Sequence, residues 1–511
     1  MPGSALITVR PTEASPLRYA SSADTGFIKC VSAFGTSQFF ATAGAVPVLT
    51  MGGRFRTHGS VVGAEVPNQA VYRVGALVGD CSKLWVTLLS SLTSLSPKKV
   101  LAWRPGGYLR SSGVLFAWMA VRTIAQMVLF VLIARAMGAA GYGALISVIA
   151  LASVFTFAVM GAAAVLVREG ARRPDELARL VRDMLRLWCL SIPLLSLVAF
   201  SVAVLALGDV MPVSALAAIV FAEVVCASAV DGVARVFQSQ DNMSMMGLVS
   251  GGLVLARLGT FVVVGCFVNW TPATWAYGYM ASSAAYLLLV LFIGTRVNEW
   301  TAKSDGSLAE HVVASLPFSF SYSAQKIQAE MNKPILARVT DTSGAGSLSA
   351  AQRFTDLLLL PVLPMLETLA PRVYRAQNPM AAAFTLGLIP LVIAALGGGG
   401  LVAAAGLVPQ ILGPSFESAV GAVTLLAALP AVQVFRWLLG AVMTGLDLHR
   451  YFYVVHGTGA FTSVLLVAVL APRFGVLGAV AAAYITEFVL IVLQAGLIHT
   501  LCWRTRGAEA R

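Results

Sequence analysis

Ionisable and amide side chains that interrupt long apolar runs are the residues of this sequence with chemistry to offer. Arg122 is followed one turn later by Gln126, Arg257 stands midway along an apolar run, and Lys326, Glu330 and Lys333 fall at i, i+4 and i+7 on one helix face. Arg436 lies three residues after Gln433, while Glu223 and Glu487 sit within apolar runs and lack a local partner. An ionised group at the centre of a membrane span costs about 2.5–3.5 kcal/mol on insertion scales, so such groups face a cavity or a partner. Arg and Lys in a low-dielectric cavity bind phosphate oxygens strongly. The pattern therefore predicts an anion-binding cavity contacted by Arg122, Gln126, Arg257, Lys326, Lys333 and Arg436, with Glu223, Glu330 and Glu487 balancing charge or carrying a proton. The competing reading for each cation is an ion pair that only fixes packing. Asp356 and Asp231 have candidate local partners in Arg353 and Arg235, and Glu367 can snorkel from a span end.

Nothing in the sequence points to covalent chemistry. The six cysteines are far apart with no C-x-x-C pair, the five histidines are scattered, and neither a G-x-x-x-x-G-K-[ST] loop nor H-E-x-x-H occurs. No metal, no cofactor and no catalytic residue is expected, and the chain is not expected to be an enzyme.

The elements that must position these residues follow from composition. Of 511 residues 58% are hydrophobic and 11% charged, too little charge to coat soluble domains. Runs of about 20 apolar residues cross about 30 Å of hydrocarbon. They are read at 114–134, 143–167, 188–208, 212–234, 246–268, 272–295, 312–336, 350–370, 383–407, 420–444, 452–471 and 476–501. The expected fold is an all-α integral membrane protein of about twelve transmembrane helices. Residues 1–112 form an N-terminal extension without a span or signal-peptide pattern, either poorly ordered or the result of a misplaced start. Residues 113–311 and 312–503 form two six-helix halves, and 504–511 a tail.

Lys and Arg in alternate loops set the orientation. One set of loops carries 19 of them, and the other only Arg135, Arg338, Arg353 and Arg473. Both termini are therefore expected in the cytoplasm. The net charge of +12 is spread thinly between apolar runs, which excludes a nucleic-acid partner. Between the second and third spans, Leu177, Leu180, Val181, Met184 and Leu187 fall at helical spacing, predicting an amphipathic helix at the cytoplasmic interface.

A motif recurs. Ile133-Ala134-Arg135 followed by Gly141-Tyr142-Gly143-Ala144-Leu145 returns as Leu336-Ala337-Arg338 followed by Gly344-Ala345-Gly346-Ser347-Leu348, with Ala, Arg, both Gly and Leu at one offset of 203. In each copy it closes the first span of a half and opens the second. Six spans per half give parallel repeats related by an axis along the membrane normal, with a central cavity between them. The glycines are expected to serve a tight outer turn, and the arginine to cap helix carbonyls or reach headgroups.

At these residues the sequence resembles a known family. Leu132-Ile133-Ala134-Arg135-Ala136-Met137-Gly138 with Gly141-Tyr142-Gly143 is similar to the first hairpin of the polysaccharide-biosynthesis flippases, the Wzx-like branch of the multidrug/oligosaccharidyl-lipid/polysaccharide exporter superfamily. Leu316-Pro317-Phe318, Ile411-Leu412-Gly413-Pro414-Ser415-Phe416 and Pro472-Arg473-Phe474-Gly475-Val476-Leu477-Gly478-Ala479-Val480-Ala481 resemble later family segments in order. Asn332 departs from the pattern, where an acidic residue is often found. The resemblance implies a multi-pass protein of the bacterial cytoplasmic membrane. It would flip a polyprenyl-diphosphate-linked oligosaccharide by alternating access, in O-antigen, capsule or exopolysaccharide biosynthesis. The implied partners are that lipid-linked oligosaccharide, membrane lipids, and a polysaccharide polymerase with its export machinery. The alternatives are a cation-coupled multidrug-type exporter on the same fold, a membrane polysaccharide polymerase or ligase, and a structural subunit of an export assembly. The first should show an anionic cavity and the second a long ordered outer loop.

Overall fold

The computed structural model describes residues 107–297, 308–374, 376 and 378–509; the N-terminal extension up to residue 106 lies outside them. Every regular element among the described residues is helical. Eight helices are long and apolar enough to cross a membrane, and two of these are far longer than one crossing requires. Glycines with positive φ divide the long ones: Gly138 (φ 68°) splits Gly107–Val154 and Gly475 (φ 56°) splits Phe452–Glu509. A bent pair, Thr342–Leu359 with Val362–Tyr374, forms span eight, and the polar pair Leu308–Glu330 with Asn332–Val339 forms span seven. Twelve spans result among the described residues, in the predicted order. The helix of span twelve continues to Glu509, through most of the stretch expected to be a tail.

The two halves repeat the same devices. Asp241 and Asp447 both adopt left-handed backbone (φ 58° and 57°) after spans four and ten. In each turn the next amide reaches back to an earlier helix carbonyl, Asn242 to Phe237 and Leu448 to Met443. This bonding closes a helix C-terminus, and aspartate is one of the few residues that tolerates the conformation.

The repeated glycines do not make the turn, contrary to expectation. Gly138 makes the first turn, and 203 residues later Asp341 stands in its place with extended backbone, its side chain accepting from the Gly344 amide as an N-cap. Gly143 and Gly346 instead sit where the two halves cross. A Cβ on Gly143 would lie 1.7 Å from the Thr342 carbonyl oxygen, and one on Gly346 2.1 Å from that of Ala139. Small residues let helix backbones meet in a membrane, and here they bring span two against span eight. Tyr142 bonds Ser349 across the same contact at 3.1 Å, and one apolar cluster containing Leu145, Leu348, Leu216 and Leu412 runs through both halves.

The repeated arginines also act between halves. Arg135 donates to the carbonyls of Ile411 (2.6 Å) and Gln410 (2.8 Å), while Arg338 donates to Asp209 at 2.6 Å. Each reaches the loop between the third and fourth spans of the opposite half.

The amphipathic stretch after span two is not an interfacial helix. Span two runs to Arg172, a short turn follows at Pro174–Glu176, and Leu177–Leu207 is continuous. Leu180, Val181 and Met184 are buried against Ala162, Leu166 and Val236, so their apolar face is covered by protein rather than lipid.

Candidate functional site

A polar cavity of about 380 Å³ opens among spans seven, eight, ten, eleven and twelve. Span seven supplies Lys326, Glu330 and Lys333, as their common face predicts, and its break at Met331, just ahead of Pro334, sets Lys333 on the second segment. Span eight supplies Arg353 and Asp356, span ten Gln433 and Arg436, and span twelve Glu487. Every lining residue belongs to the second half. The expectation that basic residues from both halves share one cavity is therefore not met.

Arg257 is engaged elsewhere. Its Nη2 lies 3.1 Å from Glu223, its Nε donates to Ser283 at 3.0 Å, and its guanidinium stacks 3.8 Å from the centre of the Tyr279 ring. The Tyr279 hydroxyl donates to the same Glu223 carboxylate. Glu223 is placed by a π-helical segment, Phe221–Ala227, inserted in span four. Span five itself lies at the periphery, with Leu255, Val262 and Val263 exposed. Arg122 is exposed and Gln126 half-buried, and neither lines the cavity.

Within the cavity two cations carry their own carboxylates. Lys333 pairs with Glu330 and Arg436 with Glu487, each at 2.5 Å, and Gln328 donates to the second oxygen of Glu487 at 3.4 Å. Each half thus holds a buried Arg–Glu pair between spans, Arg257–Glu223 in the first and Arg436–Glu487 in the second.

Arg353 is the lining cation that sequence reasoning placed wrongly, in an outer loop. The repeat contained the correction, because Gly143 opens span two and Gly346, at the same offset, opens span eight ahead of Arg353. Neither Arg353 with Asp356 nor Arg235 with Asp231 forms an ion pair within 4 Å among the described residues; Arg235 donates to Gln238 instead, at 2.7 Å.

Uncharged polar groups complete the lining. Asn332 Oδ1, Gln352 Oε1, His456 Nδ1 and Thr486 Oγ1 are buried and make no hydrogen bond among the described residues. They come from spans seven, eight, eleven and twelve, so uncharged polar side chains surround the cavity on several sides. No group of three or more His, Cys, Asp or Glu suited to a metal occurs among the described residues.

Residues 108–377, just over half of the chain, match the family described as polysaccharide biosynthesis protein. No curated protein matches the sequence. Among solved structures, an inward-facing multidrug resistance MATE family transporter of the MOP superfamily aligns at 14% identity and a TM-score of 0.55, over 74% of this chain and 95% of that one. The MATE multidrug transporter DinF-BH aligns at 17% identity and a TM-score of 0.53, over 80% and 96% respectively. At these identities the likeness is one of fold.

Proposed function

The chain belongs to the polysaccharide biosynthesis protein family, and from that premise we propose that it flips a polyprenyl-diphosphate-linked oligosaccharide from the inner to the outer leaflet of a bacterial cytoplasmic membrane. The fold is that of a multi-pass membrane transporter of the MOP type. The observation that carries the finer reading is the mixed character of the cavity. It combines cations suited to phosphate oxygens with amide, hydroxyl and imidazole side chains suited to sugar hydroxyls. The lipid tail stays in the bilayer between helices while the polar head passes through the protein. Lys and Arg are concentrated in one set of loops, which supports cytoplasmic termini, and on that orientation the contacts of Arg135 and Arg338 lie at the outer end.

The two halves rock about the glycine crossing to expose the cavity alternately. Carrying phosphate charge outward against an inside-negative potential is downhill by about 2.3 kcal/mol per charge per 100 mV. No covalent step is needed. Polymerase and export proteins take the product on the outer face.

A multidrug-type exporter shares the architecture, as the names of the structural neighbours indicate. The cavity lining favours an anionic head over a cationic drug, because Lys326, Lys333, Arg353 and Arg436 outnumber Glu330, Asp356 and Glu487. The test is complementation of a strain lacking its own copy, with flipped lipid-linked oligosaccharide measured in membrane vesicles. Restored drug efflux without restored flipping would reverse the choice.

A further inference from the structure

On the reading that this cavity carries the transported head group, its four cations are not equivalent. Lys333 is held by Glu330 and Arg436 by Glu487. An incoming anion gains little from a cation that already binds a carboxylate, because it must displace the resident partner. Lys326 and Arg353 line the same cavity, and neither has a carboxylate within 4 Å among the described residues. Lys326 rests 5.8 Å from the centre of the Tyr322 ring. Arg353 stands on span eight within reach of Tyr142, which comes from the first half, so it lies beside the crossing of the two halves. Glu330 is within electrostatic range of both Lys326 and Arg353.

We propose that Lys326 and Arg353 form the anion subsite of the cavity, taking a phosphate or diphosphate group between them, while Lys333 and Arg436 are structural cations. Arg353 offers a planar fork to phosphate oxygens and Lys326 a point charge. Asp356, one turn beyond Arg353 on span eight and facing the same cavity, is the carboxylate that competes with the ligand for it. Glu330 tempers the site without occupying either cation.

The test uses the purified full chain in nanodiscs, with inorganic pyrophosphate and geranyl diphosphate as separate probes and binding read by calorimetry. Removing one of two charge-assisted contacts should weaken binding about ten-fold or more in Arg353→Gln and in Lys326→Gln. Arg353→Lys should recover part of the loss. Asp356→Asn should bind more tightly than the wild type, and that gain should disappear when it is combined with Arg353→Gln, a coupling that a merely structural Arg353 would not show. Arg473→Gln, an exposed cation outside the cavity, should bind as the wild type does. Monodisperse size-exclusion profiles qualify each variant as folded.

Tighter binding of geranyl diphosphate assigns the subsite to a lipid-linked diphosphate, and equal binding assigns it to the free anion. Folded Arg353→Gln and Lys326→Gln variants with wild-type affinity would overturn the proposal, as would an equal loss in Arg473→Gln. The assay contains no polysaccharide. Binding that depends on Arg353, without complementation of export, would sink the flippase reading and leave the subsite standing. Full complementation by Arg353→Gln would do the reverse.

Discussion

Gly143 and Gly346 lie against each other where the two halves of the molecule cross, each close to the backbone of the opposite helix. The neighbours of any added Cβ are main-chain atoms, which cannot rotate away as a flexible side chain can. Gly143→Val and Gly346→Val should therefore each lower stability by about 1–3 kcal/mol or more, the usual range for overpacking. Gly399→Ala and Gly400→Ala meet nothing within 4 Å and should fold normally. Thermal melts followed by fluorescence-detected size exclusion give the comparison, and equal melting of all four variants would contradict it.

The buried pair of Arg257 and Glu223 makes a different demand. Removing one partner leaves the other charge uncompensated, a loss of about 3–5 kcal/mol for buried pairs. Arg257→Ala should reduce membrane abundance, and Arg257→Ala combined with Glu223→Gln should recover abundance and flipping together. Normal abundance with abolished flipping in Arg257→Ala, and no recovery in the double variant, would return Arg257 to substrate contact.

Orientation can be tested at exposed positions of known place in the fold. Glu417→Cys, in the turn ahead of span ten, should react with an impermeant thiol reagent from outside, whereas Arg450→Cys, between spans ten and eleven, should not. All six native cysteines, of which Cys189 and Cys266 are exposed among the described residues, must first be replaced. The opposite labelling pattern would invert the topology.

The contact of Arg338 with Asp209 should be indifferent to physiological pH. Asp209's own backbone amide, and then the Arg338 guanidinium, hold its carboxyl below the usual carboxylate range. A carboxyl whose folded pKa is depressed contributes above its unfolded value of about 3.9 and is lost only as pH falls through the folded value. Arg338→Gln should therefore lower flipping by the same factor at pH 8 and pH 5. A factor that disappears at pH 5 would show that the carboxyl titrates within that window.

Much of this architecture was legible in one dimension because apolar length and loop charge act locally. The twelve spans, the repeat and the shared face of Lys326, Glu330 and Lys333 all follow from spacing alone. Rotation of a helix about its own axis does not. Arg257 has the credentials of a cavity residue, yet its span faces outward and its guanidinium is taken by Glu223, Ser283 and Tyr279. Gly143 and Gly346 carry the glycine signal of a turn, but the same missing side chain serves close approach. Arg353 was obscured by Asp356, whose three-residue spacing looked sufficient for a local pair.

The offset of 203 residues separates inherited framework from acquired identity. Counting back from Lys326, Glu330, Lys333 and Arg353 gives Thr123, Met127, Phe130 and Ala150; counting forward from Glu223 and Arg257 gives Leu426 and Ala460. None of these ionisable residues has a charged counterpart at that offset. If the halves arose by duplication, the ancestral copy supplied the glycine crossing and the reaching arginine, while charge arose afterwards on one side at a time. Symmetry within this chain therefore marks the shared frame, and these ionisable side chains, paired or free, are where the halves depart from one another.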